Sequence, residues 1–300
     1  MNNNNLTILS IGLPIYNGEE FIKKRIESIL NQTFKDFELI ISDNASTDNT
    51  QMICQACLKK DKRIRYIRHE ENMGEIWNFN FILEKAAMKY FVMAAGDDIW
   101  SKEFLEKNIE FLEKNIEFVG SIGEVSLFNR NGNNVKLINN TKKFQYAMSI
   151  NGDFEKRLST YLKYNAATQY YSVFKTEDIK FANFFYKNSD IKMWQSDFAT
   201  ILKILKRGKL NVDTESFYHK EVTIQSKSII QYMRIMKFST NEILFAKVIF
   251  SSWFLKEFGM KEYFKNFHVL LFYNVKWLRS MAGEIIRMYK RLIFRQKKYW

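Results

Sequence analysis

Through the first third of the chain, short apolar runs alternate with stretches whose apolar positions recur at helical spacing. Leu6–Leu13 is a β-rich run ended by Pro14 and reads as a first strand. After the loop Pro14–Gly18, a helix is predicted to about Asn31. Glu19 and Glu20 sit in its positive first turn, and Phe21, Ile22, Ile26, Ile29 and Leu30 form its buried face. Asp36–Ser42 is the second strand, followed by the polar cluster Asp43–Asp48, which is suited to capping a helix over Thr50–Lys60. A strand over Arg63–Arg68, a loop at Glu71–Gly74, a helix over Glu75–Met88 and a strand over Tyr90–Ala94 follow. Repeated strand-helix units with short loops imply right-handed crossovers. The predicted class is therefore α/β, with a mostly parallel central sheet flanked by helices.

The later pattern is less regular. Ser101 is predicted to cap a helix to Asn115, Phe118–Phe128 reads as a strand, and Asn131–Asn134 as a hairpin turn. Between Lys142 and Asp190 only a strand at Tyr170–Phe174 and a helix cap at Thr176 stand out. Trp194, Phe198, Ile201, Leu202 and Leu205 make a helical stripe that ends at Gly208. Leu210–Val212 and Phe217–His219 read as short strands or loop.

Chemistry is expected where the strands end, because open α/β sheets bind ligands at the carboxyl ends of their strands. The run Lys89–Trp100 leaves its strand on Gly96, Asp97 and Asp98. Two carboxylates there suit a hard divalent cation that shares oxygen ligands with substrate phosphates. The competing reading is a solvated turn ahead of a helix N-cap. No G-x-G-x-x-G or G-x-x-x-x-G-K follows the first strand, so a phosphate-bearing ligand must be held another way.

Composition adds a second region. The chain has 300 residues, 46% of them apolar, with a net charge of +13. From Gln231 to Trp300, fourteen Lys and Arg face four Glu, so the charge is concentrated at the carboxyl end. At 100° per residue, Glu284–Trp300 places Ile285, Ile286, Met288, Tyr289, Leu292 and Ile293 on one face and Arg287, Lys290, Arg291, Arg295, Lys297 and Lys298 on the other. A basic amphipathic helix reads as a membrane-surface element. The alternative is a helix packed on the catalytic domain with a solvated basic face. Nucleic acid is set aside because no nucleic-acid module accompanies the basic run. Cys54 and Cys57 fall within a predicted helix and read as ordinary helix residues in a reducing compartment. The amino terminus lacks a signal pattern, and no apolar run is long enough for a bilayer span, so a cytoplasmic protein on the inner face of the membrane is expected.

Pro14-Ile-Tyr-Asn17, Gln32-Thr-Phe34, Phe37–Asp48, Asn72-Met-Gly74 and Gly96-Asp-Asp98 follow one another in order. The series resembles the nucleotide-sugar glycosyltransferases of family 2, which have the GT-A fold, over about Leu6 to Gln225. The resemblance implies a catalytic domain over 1–225, with nucleotide-sugar binding in about 1–115 and the acceptor side in about 116–225. Residues 226–300 are expected to form a helical, basic, membrane-associating extension. The resemblance also implies a nucleoside diphosphate sugar donor, Mg2+ or Mn2+, inversion at the anomeric carbon, and a glycan or lipid-linked glycan acceptor. Pro14, Tyr16 and Asn17 would line the nucleotide pocket, and Asp43 and Asn44 would face base and ribose. Many relatives have two acids there, so Asn44 departs from the pattern: an amide donates and accepts, whereas a carboxylate only accepts. Asn72, Gly74 and Asn78 would close over the nucleotide. Asp97 and Asp98 match the metal-binding pair, with Asp98 the preferred ligand, and His219 would lie near the diphosphate and metal. Asp197 is the expected catalytic base, with Asp190 its competitor.

Two other readings stay open. A nucleotidyltransferase would show a glycine-rich basic loop after the first strand, where this chain has Pro14-Ile-Tyr-Asn17. A membrane-bound nucleotide-sugar-binding subunit that has lost its base would bind without turnover. The Q-x-x-R-W pattern of processive synthases is absent, which favours transfer of one sugar or a few.

Overall fold

The computed structural model describes residues 7–95, 98–131, 134–138, 147–164, 167–182, 196–221 and 246–296. The side chains of 129–138, 167, 196, 221, 246–247, 280, 284–285 and 287–296 lie outside that description. The chain divides into two compact units, one of residues 1–187 with 197–223, the other of 188–196 with 224–300.

In the first unit, β1 (Leu9–Ile15), α1 (Ile22–Leu30), β2 (Phe37–Asp43), α2 (Thr50–Leu58), β3 (Ile64–Arg68), α3 (Glu75–Lys85) and β4 (Tyr90–Met93) succeed one another. Then come β5 (Ile99–Trp100), α4 (Phe104–Lys114), β6 (Phe118–Asn131), β7 (Asn134–Ile138), α5 (Phe154–Tyr164), a 3-10 turn (Ala167–Tyr171), β8 (Val173–Lys175), α6 (Thr176–Ala182), α7 (Ser196–Ile204) and β9 (Lys209–Glu221). The strands form one sheet in the order β3-β2-β1-β4-β8-β6-β9-β5, with β7 on β6. β3, β2, β1 and β4 are parallel neighbours, and the long β6–β9 pair is parallel too. Antiparallel pairing enters through β5, β7 and β8.

β1 and β2 are buried on both faces: Leu9, Ile11 and Leu13 on one face of β1 with Ser10 on the other, and Leu39, Ile40 and Ile41 in succession along β2. That is why Leu39–Ile41 reads as an unbroken apolar run. Gly12 lets α3 come close, since a Cβ there would meet Ile82 Cγ2 at 2.2 Å. Chain order places β2 and β3 on one side of β1 and β4 on the other, so the direction of winding reverses between β1 and β4. A crevice at that reversal is where this architecture holds ligands.

Several elements differ from the sequence pattern. β1 runs through Pro14 to Ile15, because β4 pairs with β1 only as far as Gly12, so the edge that Pro14 faces carries no ladder and its missing N–H costs no hydrogen bond. Ser101 does not cap α4; its hydroxyl accepts the Phe217 N–H instead, and the N-cap is Glu103. Tyr170 and Tyr171 lie in a 3-10 turn, not a strand. Leu210–Val212 and Phe217–His219 are one strand, β9, whose register against β6 shifts between Gly123 and Glu124.

The second unit holds α8 (Ala246–Lys265), interrupted at Gly259, and α9 (Phe267–Gln296). α9 packs on α8 and buries Leu270, Trp277 and Met281. Among the described residues no helix is long and apolar enough to cross a membrane. Most of the basic face expected over Glu284–Trp300 lies outside the described side chains.

Candidate active site

A cavity of about 460 Å3 opens at the carboxyl ends of β1, β2 and β4. Pro14, Ile15 and Tyr16 enter from β1, Asn44 from β2, Ala95 and Asp98 from β4, and Asn72, Glu75, Asn78 and Phe79 from α3 and its leading loop. Tyr171 and Lys220 complete the described lining.

The loops after β1 and β2 are tied together by side chains. The Asn17 backbone N–H donates to Ser46 Oγ at 2.9 Å, and Asn17 Oδ1 accepts the Thr47 N–H at 2.8 Å. Gly18 N–H donates to Thr50 Oγ1, and Glu19 accepts from the backbone and side chain of Asn49. Asn17 and Ala45 both have positive φ, 51° and 62°, a region that alanine rarely occupies. Such backbone is held by its surroundings, and the clasp supplies them.

Asn44 uses both functions of its amide. Nδ2 donates to Asn72 Oδ1 at 2.8 Å, and Oδ1 accepts the Met73 N–H at 2.9 Å. Asn72 Oδ1 also accepts the Gly74 N–H at 2.9 Å, and Gly74 turns into α3 with φ 91°. Asn78 donates to the Ser42 carbonyl at 2.9 Å and accepts the Ser42 hydroxyl at 2.5 Å, and Ser42 Oγ lies 2.7 Å from His69 Nε2. Burial lowers the His69 pKa, partly opposed by Asp43.

Asp43 itself does not reach the cavity. Its side chain is fully buried, accepting the Ser46 N–H at 2.8 Å and the Tyr66 hydroxyl at 2.5 Å, with Arg68 Nε at 3.9 Å. The structure thus gives Asp43 the work of shaping the β2 loop and leaves Asn44 as the side chain from this loop on the cavity wall.

On the opposite wall, Asp98 is 5% exposed and its Oδ2 accepts the Tyr218 hydroxyl. The Tyr218 ring stacks on Tyr171 with centroids 5.8 Å apart. Removal from water raises the pKa of the Tyr171 hydroxyl well above its ordinary value, and Asp98 and then Asp197 raise it further. Asp197, in the first turn of α7, also raises Tyr170, after burial. Asp98 and Tyr171 line the cavity, whereas Asp197 is not among its described lining residues. Asp197 Oδ1 accepts its neighbour Phe198's N–H at 2.8 Å.

His219 is not in the cavity. Successive side chains of β9 alternate between faces. Tyr218 and Lys220 turn to the Asp98 side, while His219 contacts Ser126 Oγ and stacks on Phe217 at 4.1 Å. Asp97 and Asp190 lie outside the described residues. Sequence reasoning missed Glu75, Tyr171, Tyr218 and Lys220. For the last two the only signal was strand parity.

The donor set fits a magnesium-type ion: such ions are held by one or two carboxylates together with substrate phosphates, and the cavity wall offers Asp98 oxygen. Among the described residues no group of three His, Cys, Asp or Glu gathers.

A doubly wound sheet with a polar cleft and a buried acid at its reversal point defines an α/β protein that binds its ligand at the strand ends. The family model for glycosyl transferase family 2 matches residues 10–180, and the chain belongs to that family. It is a glycosyltransferase with a GT-A fold. It is 28% identical over 255 residues to an uncharacterized glycosyltransferase of Haemophilus influenzae, covering 84% of this chain and 90% of that protein. It is 38% identical over 103 residues to TuaG of Bacillus subtilis, assigned to teichuronic acid biosynthesis; that match covers 34% of this chain and 41% of TuaG. In fold it is similar to S. aureus TarS residues 1–349, with a TM-score of 0.54 at 21% identity, covering 80% of this chain and 66% of that one. It is also similar to the mannosyltransferase PcManGT of Pyrobaculum calidifontis in complex with GDP-Man and Mn2+, with a TM-score of 0.57 at 15% identity, covering 92% and 73%.

Proposed function

We propose that this chain moves a sugar, with inversion, from a nucleoside diphosphate sugar to a hydroxyl of a glycan or lipid-linked glycan in surface-polysaccharide synthesis. The observation that carries the reading is the polar cavity of about 460 Å3 at the carboxyl ends of β1, β2 and β4, with the carboxylate of Asp98 in its wall. TuaG's assignment to teichuronic acid biosynthesis supports the pathway class. TarS crystallised with UDP-GlcNAc and PcManGT with GDP-Man support the donor class.

Pro14, Tyr16, Asn44, Asn72 and Asn78 form the wall on which the nucleoside rests, with Asn17 and Gly74 fixing the loops that carry it. Asp197 accepts the proton of the acceptor hydroxyl as that oxygen attacks the anomeric carbon, a contribution of about 10²–10⁴-fold. The carbon–phosphate-oxygen bond breaks on the opposite side, and its electron pair stays on the nucleoside diphosphate. The charged described residues lining the cavity are Glu75, Asp98 and Lys220, a net negative wall that repels a diphosphate. A divalent cation would resolve that conflict, and Asp98 would be its protein ligand. When bound, Mg2+ or Mn2+ supplies Lewis-acid stabilisation of the leaving charge.

Asp197→Asn is expected to abolish transfer while leaving nucleotide affinity within a few-fold of normal. Turnover at the wild-type rate would refute the base assignment. Asp98→Asn is expected to weaken nucleotide binding in Mn2+ and to make it insensitive to EDTA; unchanged, EDTA-sensitive binding would count against the metal ligand.

The second unit supports attachment to an anionic membrane surface on the cytoplasmic side. α9 carries a second apolar face of exposed Phe267, Leu271, Val275, Leu278 and Ile286, bordered by Lys276 and Arg279. An apolar stripe with a cationic edge complements an anionic bilayer. The full chain is expected to sediment with phosphatidylglycerol vesicles at low salt and not with phosphatidylcholine, and Leu271→Asp with Leu278→Asp should release it. Dimerisation without vesicle binding would assign that face to a second copy instead.

A further inference from the structure

We infer that Lys220, and not the neighbouring His219, is the side chain that grips the departing diphosphate. The inference rests on the donor reading above and names a catalytic contact within it.

Three observations place Lys220 in that role. Strand parity puts it on the same face of β9 as Tyr218, whose hydroxyl holds Asp98. It lines the cavity, and it is the one cationic side chain among the described lining residues, facing the acids Glu75 and Asp98. Its Nζ stands 5.2 Å from the centroid of the Tyr171 ring, and that ring is stacked on Tyr218. Tyr171 and Tyr218 thus form a shelf between Asp98 and Lys220. An ammonium lying over an aromatic face is steered by the ring's quadrupole without losing its donors to a fixed anion. All three of its N–H groups keep the geometry of a mobile point charge suited to phosphate oxygen.

Chemically the step is simple. The bond from the anomeric carbon to the terminal phosphate oxygen breaks, and the electron pair remains on that oxygen. The acceptor oxygen bonds to carbon, and its proton passes to Asp197. Lys220 keeps its proton throughout and donates a hydrogen bond to phosphate oxygen, strengthening as negative charge builds there. Such a donor favours the transition state over the bound substrate, which is what acceleration requires.

The test compares wild type, Lys220→Met and Lys220→Arg by isothermal titration with UDP, GDP, UMP and GMP in Mn2+. Wild type should bind one nucleoside diphosphate more tightly than its monophosphate. Lys220→Met should lose about ten- to a hundred-fold in affinity for that diphosphate, the loss of one hydrogen bond to a charged group, and only about two- to three-fold for the monophosphate. Lys220→Arg should recover most of the loss, since the positive charge returns. Thermal melts should match across the three, and Lys220→Gln serves if the methionine variant melts early. Lys220→Met binding the diphosphate as tightly as wild type, or losing both nucleotides equally, overturns the inference while the donor reading stands. Wild type binding none of the four nucleotides sinks the donor reading, and this inference with it.

Discussion

Asn44→Asp exchanges an amide for a carboxylate of nearly the same shape, yet it should destabilise the protein. Asn44 is 3% exposed, and its Nδ2 donates to Asn72 Oδ1 at 2.8 Å. A carboxylate has no proton to give, so two acceptors would face one another at that distance. Rotating the Asn72 amide repairs the contact but withdraws its oxygen from the Gly74 N–H, now 2.9 Å away. Either way one hydrogen bond is lost and a charge is placed in a buried position. The Met73 N–H, 2.9 Å from Asn44 Oδ1, gains from the new charge and offsets part of the loss. The net cost is about 2 kcal/mol, or a Tm lower by roughly 4–8 °C for a unit of this size. Urea titrations of wild type, Asn44→Asp, Asn72→Ala and the double variant measure it. In the Asn72→Ala background the opposing acceptor is gone, so the penalty should shrink by about 1 kcal/mol. An Asn44→Asp protein as stable as wild type, or an equal penalty in both backgrounds, would refute the reasoning.

Tyr218→Phe removes the hydroxyl held by Asp98 while keeping the stacked ring. Positioning partners of a metal ligand typically matter by about 10–100-fold in metal affinity, so the Mn2+ concentration supporting half-maximal UDP or GDP binding should rise by that order. An unchanged Mn2+ requirement would make the phenol merely structural. His69 should impose a pH dependence on stability. Its pKa lies below the ordinary 6.5 because burial disfavours the charged ring, with Asp43 opposing. The neutral form suits a ring packed edge-on against the stacked Trp77 and Phe81 and beside Ser42. Its contribution is therefore complete above about pH 6.5 and is lost as pH falls through the lowered value. The urea midpoint should drop between pH 7.5 and pH 5 in wild type and drop less in His69→Phe; parallel curves would contradict this.

What the sequence pattern conveyed depended on how strongly each face was specified. β1, β2 and β4 are buried on both sides, so their apolar runs and the polar residues just beyond them were legible. With them came the position of the cleft, Pro14, Tyr16, Asn44 and Asp98. Asp43 was misplaced because its neighbour shares the same loop, and only the partners Tyr66 and Arg68 reveal which of the two turns inward. β9 was harder. It pairs with β6 through a register shift and carries polar and aromatic residues on both faces, so the pattern fixed neither its length nor its phase. The family resemblance pointed to His219 at the diphosphate; neighbouring side chains of a strand face opposite ways, and it is Lys220 that stands on the cavity wall. The correction changes the chemistry assigned to this wall. A neutral imidazole would have added a metal ligand, whereas an ammonium beside Asp98 and Glu75 shares the neutralisation of the donor with the ion. Metal dependence and the charge at position 220 should then be coupled: removing the lysine should increase the dependence of diphosphate binding on Mn2+, because a larger share of the neutralisation falls to the ion.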